Sequence, residues 1–239
     1  MPHSTIDLTG RHVVVTGGAG ALGTAVVARF LAAGATVHIP AIDDGPGSRG
    51  LPGAHYIPRV DLGDERQVIA LYADLPHLWA SVHLAGGFTW SRIEDTTADA
   101  ARDQLEMNAM TCLLCCREAI ARMRARAAAN PGEPGGRIVN VGSRAGLVPG
   151  AGLSAYVMAK AAVHALTVQL AEELRDEQIL VNAVLPSIID TPANRASMPG
   201  ADFDRWPRPA EIAEAILFLA SPVNTLSSGA LLPVYGRHV

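Results

Sequence analysis

Val15-Thr16-Gly17-Gly18-Ala19-Gly20-Ala21-Leu22-Gly23 is the stretch on which the fold turns. It follows a β-branched run at residues 11–16 and precedes an apolar-periodic stretch at 21–33, so it reads as the turn from a first strand into a first helix. Within it, Gly18, Gly20 and Gly23 form G-x-G-x-x-G. Glycines so placed permit a tight turn and let backbone N–H groups approach a pyrophosphate at the positive end of the helix. A side chain there would block the approach.

Outward from this turn, strand-like and helix-like runs alternate without a linker or a fixed short repeat. Gly34 stops the first helix, and 36–39 reads as a second strand. Strand 55–60, helix 64–75 and strand 79–85 follow, the last ending in Gly86-Gly87. Residues 98–129 read as one or two helices, closed by Asn130-Pro-Gly-Glu-Pro-Gly-Gly136. Strand 137–141, helix 154–176, strand 179–185, helix 209–220 and strand 231–234 complete the series. Such alternation specifies an α/β protein with a doubly wound parallel sheet of about seven strands and helices on both faces.

Composition narrows the function. The 239 residues carry a net charge of −4, with 49% hydrophobic and 18% charged residues, and the scattered arginines form no basic stripe for a nucleic-acid backbone. No apolar run approaches the roughly 18 residues of a membrane span, and the first residues lack a signal-peptide pattern, so the expected location is the cytoplasm. Cys112, Cys115 and Cys116 sit in an apolar helical pattern without a second Cys or His pair at ligand spacing; they read as buried small residues, and no metal site is expected. Both long central helices, around 109–116 and 155–170, are apolar over most of their circumference. One side faces the sheet and the other needs a cover, which implies self-association.

An acid that holds a ribose 2′-hydroxyl is expected about 20 residues past the glycine turn. Asp43 and Asp44 lie there, with Ala41 at the ungapped position, and no arginine or lysine stands in the turn or directly after strand two. The cofactor is therefore NAD or NADP, with the residues leaning towards NAD. Asp61 closes strand three and either contacts the adenine or caps the helix that begins near Asp64.

Reactive residues gather later in the chain. The 19 basic residues include a single lysine, Lys160, four residues after Tyr156. Residues i and i+4 share a helix face, and an ammonium near a phenol favours the phenolate, which makes a tyrosine a usable acid or base. Ser143 lies on the loop past strand five, at the edge where open parallel sheets bind ligands, as a candidate donor to a substrate oxygen.

Taken together, these residues resemble the short-chain dehydrogenase/reductase family in its single-domain form, from Thr16 to about Pro233. Thr16 to Gly23 is similar to the family's Thr-Gly-x-x-x-Gly-x-Gly turn, with Ala21 in place of one glycine. Ala85-Gly86 resembles the end of its Asn-Asn-Ala-Gly motif, with His83-Leu84 replacing the asparagines. Asn108 falls where the family has a structural and catalytic asparagine, and Ser143, Tyr156 and Lys160 match its triad. Residues 181–186 resemble the sixth-strand signature, with Ser187 replacing the following glycine. The resemblance implies cofactor contacts at Gly17, Gly18, Gly20, Leu22, Gly23, Asp43, Asp61, Ala85, Gly86, Tyr156, Lys160, Pro186, Ile188 and Thr191.

It further implies one dinucleotide-binding and catalytic domain over 1–239, and a homodimer or homotetramer through the two central helices. The implied activity is NAD(P)-dependent hydride transfer to or from a small or medium alcohol or ketone. Ser143 would hold the substrate oxygen, Tyr156 move its proton, Lys160 lower the tyrosine pKa and bond the nicotinamide ribose, and Asn108 keep a relay water. A catalytically silent scaffold of the same fold is the alternative. A sugar-nucleotide epimerase would need a larger substrate domain. Phe88 and Trp90 suggest an apolar pocket wall; Arg144 attracts a carboxylate or is a solvated or interface residue; Trp206 packs under the last helix. His164, one turn past Lys160, reads as a polar core or interface residue.

Overall fold

The computed structural model describes residues 6–45, 50–75 and 77–237; the start of the segment read above for a leader lies outside them. Strands β1 (His12–Thr16), β2 (Thr36–Pro40), β3 (His55–Ile57), β4 (Leu78–His83), β5 (Gly136–Val141), β6 (Ile179–Pro186) and β7 (Leu231–Val234) form one sheet. Their order is β3-β2-β1-β4-β5-β6-β7, and every pair is parallel. Helices α1 (Ala21–Ala32), α2 (Glu65–Ala73), α3 (Ala98–Leu105), α4 (Thr111–Ala129), α5 (Ser154–Glu173), α6 (Pro192–Ser197) and α7 (Pro209–Ala220) complete the Rossmann-like arrangement.

Side-chain alternation in β1 divides the core. Val13 and Val15 point to the face covered by α1 and α7, among Val26, Phe30, Ile216 and Leu217. Val14 points to the opposite face, among Val68 of α2, Cys116 and Met123 of α4, and Val163 of α5. Apolar residues on both faces explain why these strands read as nearly continuous hydrophobic runs. Because the chain moves outward from β1 to β2 and then returns to place β4 on the other side of β1, the two crossovers part there and open a crevice at the strands' carboxyl ends.

Three departures from the sequence reading have local causes. Strand three stops at Ile57 because Pro58 follows and Arg59 adopts a left-handed φ of 59°. The helical stretch 98–129 is split by a π turn, Glu106–Met110, in which the Thr111 N–H reaches back five residues to the Glu106 carbonyl. Side chains hold that turn: Asn108 Nδ2 donates to the Gln104 carbonyl and Thr111 Oγ1 to that of Met107. Helix α6 was not read from the sequence, although Thr191-Pro192 carries its signal: the Thr191 hydroxyl accepts from the Asn194 N–H and proline occupies the first turn. Among the described residues no helix is long and apolar enough to cross a membrane.

Candidate active site

The glycine turn is built against the end of β4. Thr16 Oγ1 accepts hydrogen bonds from the N–H groups of Leu84 and Ala85, 3.1 Å each. Gly17 has a φ of 65°, and a Cβ on it would lie 2.9 Å from the Ala85 nitrogen. A Cβ on Gly23 would collide with the Gly17 carbonyl, so this glycine lets α1 pack down on the turn. Gly18 and Leu22 likewise lie under the turn, Gly18 against Ile39 and Leu22 against the core. Ala21 is exposed, so its extra methyl points away from that packing.

Helix α1 begins after Gly20 with no side-chain cap and no acid in its first turn. Its first N–H groups are thus unclaimed by side chains, as a diphosphate requires. They open on a cleft of about 680 Å³ whose wall includes Gly17, Gly20, Ala41, Asp43, Asp61, Ala85 and Gly86. These residues fit a dinucleotide. Asp43 is part of the wall, whereas Asp44 pairs with Arg59 at 2.7 Å. The sheet therefore brings a cation from the end of β3 to the loop after β2, which reading along strand two alone did not find. Asp61 is not the cap of α2: Asp64 fills that role by accepting from the N–H groups of Arg66 and Gln67, while Asp61 accepts from Gly63. Pro186, Ile188 and Thr191 lie apart from this wall, at the end of β6 and the entry to α6.

The reactive side chains converge beyond β5. Lys160 is buried on α5, and its Nζ donates to the Val141 carbonyl at 2.9 Å. Burial lowers its pKa to about 8, against a smaller opposing effect of Cys112. Its Nζ lies 5.9 Å from the centroid of the Tyr156 ring, which meets Phe88 edge-on at 5.0 Å. Here the sequence expectation needs correction. The Tyr156 pKa is raised by burial, only partly offset by the hydrogen bond of Ser143, because losing water costs the phenolate more than its neighbours return.

Ser143 is held by its surroundings. Its Oγ accepts from the Ala145 N–H at 3.2 Å, and its own N–H donates to His164 Nε2 at 3.2 Å. The imidazole of His164 is wedged against Gly142 and Gly146, where a Cβ on either glycine would strike it. His164 thus braces the Ser143 loop, a role that its place on the Tyr156–Lys160 stripe hinted at without specifying.

Asn108 faces the same region from the π turn. It accepts from the Gly87 N–H at 3.3 Å and donates to the Gly87 carbonyl at 3.1 Å, fixing the loop after β4. A Cβ on Gly86 would lie 2.5 Å from Asn108 Oδ1 and 3.7 Å from Lys160 Nζ, so glycine lets these groups close together. His83, at the place of the first asparagine, bridges Ser81 Oγ and Asn140 Oδ1, 2.8 Å each. Around Tyr156, Phe88 and Trp90 remain largely exposed, with Trp90 Nε1 donating to the Ala151 carbonyl. Arg144 lies over the ring of Tyr235, and Trp206 is buried beside Phe203.

Comparison with known proteins identifies the family of this chain. The family model described as short chain dehydrogenase matches residues 11–201. Cis-4-hydroxycyclohexanecarboxylate dehydrogenase of Sinomonas cyclohexanicum is 33% identical, covering 95% of this chain and 96% of the relative. Cyclopentanol dehydrogenase of Comamonas sp. (strain NCIMB 9872) is 30% identical over 95% of this chain and 96% of its own. A solved structure described as a short chain dehydrogenase/reductase family protein superposes with a TM-score of 0.86 at 29% identity, covering 98% of this chain and 100% of that one. With the glycine turn, the parallel sheet and these relatives in agreement, the chain belongs to the short-chain dehydrogenase/reductase family and is an oxidoreductase acting on CH–OH or C=O groups.

Proposed function

We propose that this chain works as a single dinucleotide-binding and catalytic unit that interconverts a small or medium alcohol and ketone, with NAD favoured over NADP. The carrying observation is the convergence of Ser143, Tyr156 and buried Lys160 beyond β5, next to a cleft headed by an uncapped helix. The bound nicotinamide would supply or accept the hydride. Gly17, Gly18, Gly20, Leu22 and Gly23 shape its diphosphate seat, with Asp43 and Asp61 towards the adenosine end. Ala85, Gly86, Pro186, Ile188 and Thr191 are the proposed contacts nearer the nicotinamide. Thr191 uses its oxygen to cap α6, which leaves its hydroxyl proton free to donate.

In this reading Ser143 donates to the substrate oxygen and Tyr156 transfers the proton. With its pKa raised, Tyr156 is protonated at neutral pH and ready to donate to a ketone. Lys160 supplies the positive charge that favours phenolate as the proton leaves, and a donor for the ribose. Asn108 has its amide groups in bonds to Gly87 and Gln104, and therefore serves as a positioning residue that holds the pocket loop. The Phe88–Trp90 wall suits an apolar carbon skeleton, and the two relatives named for cyclic alcohols make cyclic ketones the first substrates to try.

The test follows NADH and NADPH absorbance over a panel of cyclic and open-chain ketones. Turnover of at least one ketone is expected, faster with NADH. Cofactor binding without turnover across the panel would overturn the enzymatic reading. Asp43→Ala should weaken NADH binding about ten-fold while sparing NADPH, since a hydrogen bond to a charged acceptor contributes about 1.5–3 kcal/mol. Equal losses for both cofactors in a fluorescence titration would remove Asp43 from the ribose site.

Self-association through α4 and α5 is part of the proposal. Met110 at the end of the π turn, Leu113 in the first turn of α4, and Met158 and Val168 on α5 leave 37–54% of their surface exposed. Covering them would remove apolar area from water. Sedimentation at micromolar concentration should give a dimer or tetramer; monomer alone would refute it. With three free cysteines, the proposed place of work is the cytoplasm.

A further inference from the structure

Where α4 meets β4 and β5, His83, Cys112, Cys116 and Asn140 form a buried cluster. We propose that this cluster is a zinc site, with His83 Nδ1, Cys112 Sγ and Cys116 Sγ as ligands and Asn140 Oδ1 as a weaker fourth donor. The proposal does not depend on the catalytic reading.

Chain spacing concealed the site. Cys112 and Cys116 are four apart and share the helix face turned to the sheet, but two cysteines are too few for zinc. The fold adds the third ligand, His83, at the end of β4. The three ligand atoms all lie within 4.8 Å of one another, and their residues are at most 5% exposed. Cys116 Sγ is 3.4 Å from His83 Nδ1, while Cys112 Sγ and Cys116 Sγ are 3.4 and 3.5 Å from Asn140 Oδ1. With Zn–S near 2.3 Å and Zn–N near 2.0 Å, donors at the corners of a tetrahedron stand about 3.5–3.8 Å apart. The Cys116–His83 and the two Cys–Asn140 distances are close to that spacing, the remaining pairs among the three ligands lie within 4.8 Å, and His83 Nδ1 and Asn140 Oδ1, at 2.8 Å, must separate.

Outer contacts suit the assignment. With Nδ1 on the metal, the His83 Nε2–H donates to Ser81 Oγ, 2.8 Å away, which fixes tautomer and ring orientation. Asn140 Nδ2 donates to Thr167 Oγ1 at 2.9 Å and so aims its oxygen into the cluster. Binding releases one proton from each thiol and shifts the neutral imidazole between tautomers. Zn²⁺ with two thiolates carries no net charge, so the buried site needs no further counter-ion. The adjoining gap between Cys112, Thr16 and Ala85 has no room for a water molecule, so the ion would enter as the chain folds.

The protein is expressed in zinc-supplemented medium, dialysed against a chelator, and its metal content measured. About one zinc per chain is expected, falling to background in the Cys112→Ala/Cys116→Ala variant. Refolding wild type with Co²⁺ should give thiolate-to-cobalt absorption in the near ultraviolet and the visible bands of a tetrahedral ion. His83→Asn should weaken or shift these bands, and the wild-type spectrum decides the matter if the variants do not fold. No zinc in wild type after both expression and refolding with excess zinc would overturn the site. So would zinc retained in the double variant, or a cobalt spectrum without thiolate bands, as the imidazoles of His12 and His38 would give.

Discussion

Replacing Tyr156 with Phe is expected to lower kcat by about 10²–10⁴-fold, the usual contribution of a positioned acid or base. The binding of NADH should change little. The substitution keeps the ring and its edge-on packing against Phe88 and removes only the hydroxyl. Ser143 loses one neighbour but keeps the Ala145 N–H and its own bond to His164. Steady-state rates paired with a fluorescence titration of NADH separate the two effects. Retained turnover would refute the role of Tyr156, and lost cofactor binding would mean that the hydroxyl acts in binding rather than in chemistry.

Lys160→Arg should also cost at least about 10²-fold in kcat, although the charge is kept. Lys160 is only 7% exposed, its Nζ is bonded to the Val141 carbonyl, and Gly86 lies close by. A planar guanidinium is larger than an ammonium and has five donors to satisfy. Overpacking of this kind costs about 1–3 kcal/mol of stability, which a denaturation midpoint reads directly. The pH profile adds a second readout. The Lys160 pKa is lowered to about 8, so the ammonium is present below that pH and lost above it. For wild type, kcat/KM for ketone reduction should fall as pH rises through about 8. In the arginine variant the residual rate should lack this limb, because arginine stays protonated. Unimpaired catalysis by the variant would mean that charge alone suffices.

Much of the fold was legible because its signals are local. Alternating runs separated by glycine and proline gave all seven strands and the main helices, and the limits of α7 and β7 agree to the residue. The turn at Gly17 to Gly23 and the four-residue spacing of Tyr156 and Lys160 were legible for the same reason: each is read within a few turns of one chain segment. Boundaries set by side chains bonding to the backbone were less visible. The π turn at Asn108 depends on the Asn108 and Thr111 side chains claiming carbonyls that a regular helix pattern does not reveal.

The sequence by itself determined the sheet class, the glycine turn between the first strand and the first helix, and the family to which Ser143, Tyr156 and Lys160 pointed. Only the tertiary structure decided what these residues face. It set burial above the hydrogen bond of Ser143 for Tyr156 and placed His164 behind the Ser143 loop. It carried Arg59 from β3 to Asp44 after β2, and joined His83 to the cysteines of α4. The physical reason is common to all four. Spacing along a chain fixes neighbours within one helix or strand, whereas the order and register of a parallel sheet decide which distant side chains meet and how much water they lose.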